Sequence, residues 1–332
     1  MDEKEIPKKL RDKEENLSEE TKSLIAALPS DIDGYGIKIF KYQGCWYDNQ
    51  RLHSILNYQV GFQPQETDIV VASYPKSGTT WLKALTFTLL QPLRHPLDDH
   101  HHPVLNHNPH ELVLFLEEIY RNSSIPDLQK LSASPRLFST HMPLHILKVP
   151  FKDDSPCKIV YVCRNVKDVL VSLWLFKKSW LGKNVGVEKC TLEVLFDYFC
   201  RGVALYGPFW EHVLSYWRGS LEDPEHVLFM RYEELKTEPH AQIKRLAKFL
   251  GCPFTEEEEK SGNVDKILEL CALRNLSGLE INKTGTWKTG VGFKSFFRRG
   301  EVGDSKNYLT PEMEARIDMI IDEKLKGSGL KF

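Results

Sequence analysis

Tyr74, Pro75, Lys76, Ser77, Gly78, Thr79, Thr80 and Trp81 are the densest run of chemically capable residues in the chain. An apolar run ends just before them and a helix-forming run follows, which puts the segment on a strand-to-helix turn. At such a turn a glycine lets backbone N–H groups converge and the helix start adds partial positive charge. The Ser and Thr hydroxyls and one Lys supply further donors, a set suited to phosphate or sulfate. A plainer reading is a turn with a helix cap, a position that Ser and Thr favour. The loop is not the G-x-x-x-x-G-K-[ST] of a magnesium NTPase, because Lys76 comes before the only glycine. Such an enzyme also needs an acid where a later strand ends, whereas the apolar runs at 158–163 and 227–232 lead into Arg164 and end on Arg231 and Tyr232. The loop therefore reads as one that holds an anionic nucleotide with protein cations alone.

Three segments carry a resemblance. YPKSGTTWLKAL at 74–85, RNVKDVLVSLW at 164–174 and FFRRGEVGDSKNYLTPE at 296–312 are similar, in this order, to the three signature segments of the cytosolic sulfotransferases, most closely the plant branch. The resemblance runs from about residue 40 to 332. It implies a P-loop-like α/β domain that moves a sulfuryl group from 3'-phosphoadenosine 5'-phosphosulfate (PAPS) to a hydroxyl of a small organic acceptor, without a metal. Flavonoids or other phenolics lead among the acceptors expected, with steroids, hydroxyjasmonates and desulfoglucosinolates behind them.

Carried over by position, Lys76, Ser77, Gly78, Thr79, Thr80 and Trp81 match the loop for the 5'-phosphosulfate, with Trp81 placed to stack on adenine. Lys76 is the candidate for the charge on the leaving phosphate. Arg164 and Ser172 match the ligands of the 3'-phosphate: the guanidinium offers planar multiple donors, and Ser172 adds a hydroxyl from the following helix. Taken alone, Arg164 would be read as a surface salt bridge, worth about 0–1 kcal/mol. Arg298, Arg299 and Gly300 match an Arg-Lys-Gly element that closes on the same phosphate, where a solvated basic loop is the plain alternative. Tyr232 matches an adenine-side tyrosine, and a core Tyr closing a strand would read identically. His141, in Ser139-Thr140-His141-Met142-Pro143, matches the catalytic base, which would take the acceptor proton as the new O–S bond forms. The transferred group should pass through a loose transition state by analogy with phosphoryl transfer, so alignment and charge neutralisation dominate.

Three positions depart from the family pattern: Ser305 where Trp is common, Leu273 where many members place Phe against adenine, and Pro311 inside the C-terminal dimerisation pattern. A kinase or NTPase, and a family member that binds nucleotide or ligand without turnover, stay open as alternatives. His100, His101, His102, His107 and His110 read as an exposed loop, since consecutive histidines rarely share one coordination sphere. Trp46, Tyr47, Trp174, Phe176 and Trp180 could line a flat acceptor pocket, though aromatics at such spacings are more often core.

The elements that must position these residues are visible as punctuation. Residues 69–74, 158–163 and 227–232 read as short buried strands, and helices are expected over 81–90, 167–178 and up to Leu250, where Gly251 ends the pattern. Strands alternating with helices predict a parallel sheet covered on both faces in a single domain spanning 21–332, behind a mobile charged tail at 1–20 with a helix beginning near Ser18. Long connections at 92–110, 122–135 and 277–300 read as functional loops. With 332 residues a sizeable core is available, and 44 basic against 46 acidic residues exclude the basic footprint of a nucleic-acid binder. No apolar run approaches the ~18 residues of a membrane helix, so no membrane partner is expected. Seven scattered cysteines without a C-x-x-C pair and a start without a signal peptide predict reduced thiols and a cytoplasmic setting. The pattern assigns no oligomeric state.

Overall fold

The computed structural model describes residues 17–91, 102–121, 126, 128, 135–151, 157–181, 191–287 and 290–332. Five strands, β4 (Ile69–Ser73), β5 (Leu114–Phe115), β6 (Leu137–Thr140), β7 (Lys158–Cys163) and β8 (Val227–Arg231), form an all-parallel sheet in the order β5-β6-β4-β7-β8. These strands are continuous apolar runs because both faces are buried. Val70, Ala72, Ile159, Tyr161, Val227 and Phe229 enter the core on one face, while Ile69, Val71, Val160, Val162, Leu228 and Met230 enter that on the other. Burying each large side chain contributes roughly 1.5–3 kcal/mol.

Helix α1 (Glu19–Ala27) begins where expected, with the Ser18 hydroxyl accepting from Thr21 N–H at 3.2 Å. The first core takes Leu52 and Ile55 from α2 (Asn49–Gly61), Val169 and Leu170 from α4 (Val166–Leu181), Phe196 and Phe199 from α5 (Leu192–Cys200), and Val213 and Tyr216 from α6 (Phe209–Glu222). The second takes Leu82, Leu85 and Leu89 from α3 (Thr79–Leu89), Leu235 from α7 (Tyr232–Thr237), and Ile243, Leu246 and Leu250 from α8 (Pro239–Leu250). Gly251 ends α8 at φ 83°, a left-handed conformation that glycine adopts without penalty. Helix α9 (Pro311–Leu325) closes the chain, with Pro311 at its first turn and Thr310 as its cap, so this departure from the family pattern is an ordinary helix start.

At the N-terminal edge of the sheet, Arg136 Nε donates to Asp68 Oδ1 at 2.7 Å and its second nitrogen to Oδ2 at 2.6 Å. Both side chains are buried, so removing one partner would cost about 3–5 kcal/mol and loosen β6 against β4. The sequence pattern did not reveal a small antiparallel sheet, β1 (Ser30–Ile32), β2 (Lys38–Tyr42) and β3 (Cys45–Tyr47), which puts Trp46 and Tyr47 in the core. The expected tail at 1–20 lies outside the described residues up to position 16. Among the described residues no helix is long and apolar enough to cross a membrane, and none of the six cysteines there forms a disulfide.

Candidate active site

Strand β4 has a parallel neighbour on each side, and chains leaving such strands diverge at their C-terminal ends. The loop 74–78 follows β4, His141 follows β6, Arg164 follows β7 and Tyr232 follows β8. These four exits open into a cavity of about 230 Å³, and a second cleft of about 510 Å³ shares its Lys76, Ser172, Phe176 and Arg298 walls.

The loop is bent in a way few residues tolerate. Lys76 sits at φ 71°, uncommon for a residue with a Cβ, and Gly78 at φ 113°. A Cβ on Gly78 would stand 2.7 Å from Tyr232 Cδ2, so only glycine lets the loop pack on that ring. Four buried donors here have no acceptor among the described residues: Ser77 Oγ, Trp81 Nε1, Arg164 Nε and Arg298 Nε. Unsatisfied buried donors are costly, and several aimed at one region suit an oxygen-rich anion. Lys76 Nζ lies 4.1 Å from the centre of the Phe176 ring, with no ion pair among the described residues. Burial, then the charges of Arg298 and Arg164, push its pKa down to about 7.

Arg164 is held rigidly. Its guanidinium lies 4.6 Å from the Tyr232 ring centre and donates to Asp168 Oδ2 at 3.3 Å and to the Glu301 carbonyl at 2.7 Å. The buried Asp168 also accepts the N–H groups of Gly303 and Ser305, each at 2.9 Å, so one carboxylate fixes both Arg164 and the loop carrying Arg298, Arg299 and Gly300. Tyr232 OH donates to the Gly300 carbonyl at 2.8 Å. Gly300 sits at φ 65° with Leu273 Cδ2 only 2.3 Å from where a Cβ would be, which couples the Leu273 departure to this glycine. Ser305 is buried, its N–H on Asp168, with no demand on its side chain for the loop to hold.

His141 Nδ1 lies 2.7 Å from the Ser73 carbonyl, which can only accept, so Nδ1 carries the proton and Nε2 keeps its lone pair. The His141 N–H donates to Glu117 Oε1 at 2.8 Å, and Phe115 and Tyr206 flank the ring edge-on at 5.1 and 5.6 Å. Burial pushes the imidazole pKa down to about 3 and the Glu117 carboxyl up to about 7. A strand-end imidazole with a free Nε2, beside a cluster of cations and unsatisfied donors, can take a proton from a neutral acceptor while the cations hold an anion.

The family model described as "Sulfotransferase domain" matches residues 66–329. The chain belongs to the sulfotransferase family. It is 68% identical to Cytosolic sulfotransferase 8 of Arabidopsis thaliana and 63% identical to Cytosolic sulfotransferase 10 of the same plant, in both cases over 100% of each chain. Among solved structures it is similar to an Arabidopsis thaliana sulphotransferase, with 38% identity and a TM-score of 0.74 over 95% of this chain and 98% of that one. A mouse sulfotransferase complexed with PAP shares 25% identity at a TM-score of 0.64, covering 87% of this chain and 95% of that one. The kinase and NTPase readings are thereby set aside.

Within this sulfotransferase the cavity gathers Lys76, Gly78, Thr79, Thr80, Trp81, His141, Arg164, Ser172, Tyr232, Arg298 and Gly300. Ser77 is buried behind the loop and does not line it. Arg299 does not line the wall: its side chain is half exposed and paired with Asp304 at 2.6 Å, whereas Arg298, on the same carboxylate, does line it. Of the aromatics expected there, Phe176 lines the cavity, Trp174 packs on Tyr308, and the Trp180 side chain lies outside the described residues. His100 and His101 also lie outside them; His107 is exposed as expected, but His102 is buried and His110 lines the cavity. Sequence reasoning missed Glu117, Asp168, Lys83 and His110; only Asp168, four residues after Arg164 in the first turn of α4, left a signal in spacing.

Proposed function

We propose that the cavity takes PAPS along the loop 74–81 and the Arg164 side of the sheet, and that an acceptor hydroxyl meets it at His141. PAPS supplies the activated sulfuryl group. The bond from sulfur to the acceptor oxygen forms, the bond from sulfur to the phosphate oxygen breaks, and the acceptor proton goes to His141 Nε2. Lys76, with the loop N–H groups and the hydroxyls of Thr79 and Thr80, neutralises the departing phosphate. Arg164, Ser172 and Arg298 hold the 3'-phosphate, with the main chain at Arg299 and Gly300, while Trp81 and Tyr232 face the adenine. The product nucleotide is the desulfated form, PAP.

The observation that carries this reading is the set of three buried, partnerless donors on residues of the cavity wall, Trp81 Nε1, Arg164 Nε and Arg298 Nε, beside a lysine with no ion pair among the described residues, and an imidazole lining the same cavity whose Nε2 keeps its lone pair. No step requires a metal. The acceptor lobe, walled by Phe176, Leu195, Phe199 and Tyr206, favours a flat hydroxylated ring such as a flavonoid or simple phenolic. We read residues 21–332 as one catalytic domain acting in the cytosol. The test is mass-resolved incubation with PAPS and a pool of phenolics, steroids, hydroxyjasmonates and desulfoglucosinolates. A mass gain of one sulfuryl group on a phenolic supports the reading. Tight PAP binding with no transfer to any member of the pool replaces it with a binding protein.

A further inference from the structure

Lys83 lies one helical turn after Thr80 on α3, on the same face, and its side chain has no exposed surface. A lysine so deeply buried needs a partner. Its Nζ is 3.1 Å from His110 Nδ1 and 3.4 Å from the Val113 carbonyl. The other nitrogen of that imidazole, Nε2, is 2.9 Å from Thr80 Oγ1, and Thr80 lines the cavity. We propose that Lys83, His110 and Thr80 form a directed hydrogen-bond relay that turns the Thr80 hydroxyl proton toward the anion on the phosphate loop; the inference rests on the reading of that loop given above.

The direction follows from donor and acceptor chemistry. Below pH ~7, where the buried Lys83 is an ammonium, it only donates, so Nδ1 accepts from it and the neutral ring carries its proton on Nε2. Thr80 Oγ1 then accepts that proton, and its own O–H is left to donate. His110 is held neutral, because burial and the nearby Lys83 and Lys76 charges push its pKa well below the usual value. Its ring is also fixed in place, stacked on Phe296 at 4.2 Å. A donor that already points at the developing charge needs no reorganisation during the reaction. Lys83 and His110 are thus positioning residues, and Thr80 is the group that touches the substrate.

The test compares Thr80→Val, Lys83→Met, the double variant, His110→Gln and His110→Asn, measuring PAP binding by calorimetry, PAPS turnover and thermal melting. Thr80→Val should weaken PAP binding about tenfold or more, as expected for a lost hydrogen bond to a charged group. Lys83→Met should weaken it about three- to tenfold, and the double variant should match Thr80→Val alone, because the relay has no other output. The His110→Gln amide can reach Thr80 as Nε2 does and should retain binding within about threefold, whereas the shorter His110→Asn should lose as much as Lys83→Met. If Lys83→Met fails to fold, the Gln and Asn pair decides. Multiplicative losses in the double variant, or equal losses in Gln and Asn, overturn the relay while leaving the loop reading intact. Wild-type PAP binding by Thr80→Val overturns both.

Discussion

Lys76 offers the sharpest quantitative test, because its charge depends on the pH range in which the protein is handled. Its pKa is pushed down to about 7, first by burial and then by the neighbouring Arg298 and Arg164 charges. The sign follows directly. The protein without nucleotide loses this proton as pH rises through about 7, and a bound phosphate restores it by supplying the missing negative charge. At pH 8 a group of pKa ~7 is only ~9% protonated, so nucleotide binding should take up ~0.9 proton at this site and cost about 1.4 kcal/mol, a factor of ten, relative to pH 6. The assay is calorimetric titration of PAP at pH 8 in HEPES and in Tris, whose different ionisation heats turn proton uptake into a difference in apparent enthalpy. Lys76→Met should bind more weakly and lose that ~0.9 proton of uptake, and in the wild type affinity should fall about tenfold between pH 6 and 8 and approach tenfold per pH unit above about 8. Uptake unchanged in Lys76→Met would assign the proton to another group, such as Lys83 or Glu117, both also placed near 7 by burial. No uptake at all in the wild type would mean that Lys76 is already charged before the anion arrives, and the reasoning from burial would fail.

Two further outcomes follow from the cation cluster. PAPS turnover should persist in excess EDTA; an absolute requirement for Mg²⁺ would contradict a site that balances charge with Lys76, Arg164 and Arg298. Arg164→Ala should weaken PAP binding about ten- to a hundredfold, as for a lost charge-assisted contact, yet change binding of an analogue lacking the 3'-phosphate little, while Arg299→Ala should stay within about threefold of wild type because its side chain is half exposed on Asp304. Equal losses for both nucleotides in Arg164→Ala, or a large loss in Arg299→Ala, would reverse these assignments.

The strands β4, β7 and β8 were legible because a parallel strand buried on both faces is written as one uninterrupted apolar run, and each run pointed at its site residue, Lys76, Arg164 or Tyr232. Strand β6 was legible only through His141, since four residues make a weak pattern. The antiparallel sheet at 30–47 was hidden for a different reason: its strands run only three to five residues and just β1 alternates in burial, too little for a period to emerge. The buried charges were hidden most deeply. Nothing local in the sequence distinguishes Glu117 from the partly exposed Glu118 beside it, and its partner is a backbone N–H twenty-four positions away in sequence. Lys83 sits in a helix whose many apolar residues read as core, and it is core, made tolerable by a histidine from a segment that looked like solvated loop. The pair Arg298 and Arg299 shows the limit from the other side: two adjacent basic residues matched one motif, and only the folded loop tells which of them lines the cavity.

The role of His141 can be separated from its contribution to packing through its two nitrogens. Nδ1 donates to the Ser73 carbonyl and fixes the ring, and Nε2 is the proposed base. His141→Asn retains an N–H near the position of Nδ1 but offers nothing at Nε2, so the buried carbonyl stays satisfied and the fold should hold. Turnover at saturating PAPS and acceptor should nevertheless fall about a hundred- to ten-thousandfold, the usual contribution of a general base, with PAP affinity within about threefold of wild type. The pH dependence adds an independent check. Burial depresses the imidazole pKa to about 3, so the ring stays unprotonated, and competent as a base, at every pH well above that value. The ratio of wild-type to His141→Asn turnover should then be flat between pH 5 and 9. A ratio that shrinks toward one as pH falls through about 6.5 would show an imidazole titrating at its ordinary value, and hence a ring far better solvated than its enclosure by Phe115, Tyr206 and the end of β4 allows. A folded His141→Asn protein with wild-type turnover would leave the acceptor proton without a recipient at Nε2 and would overturn the proposed chemistry.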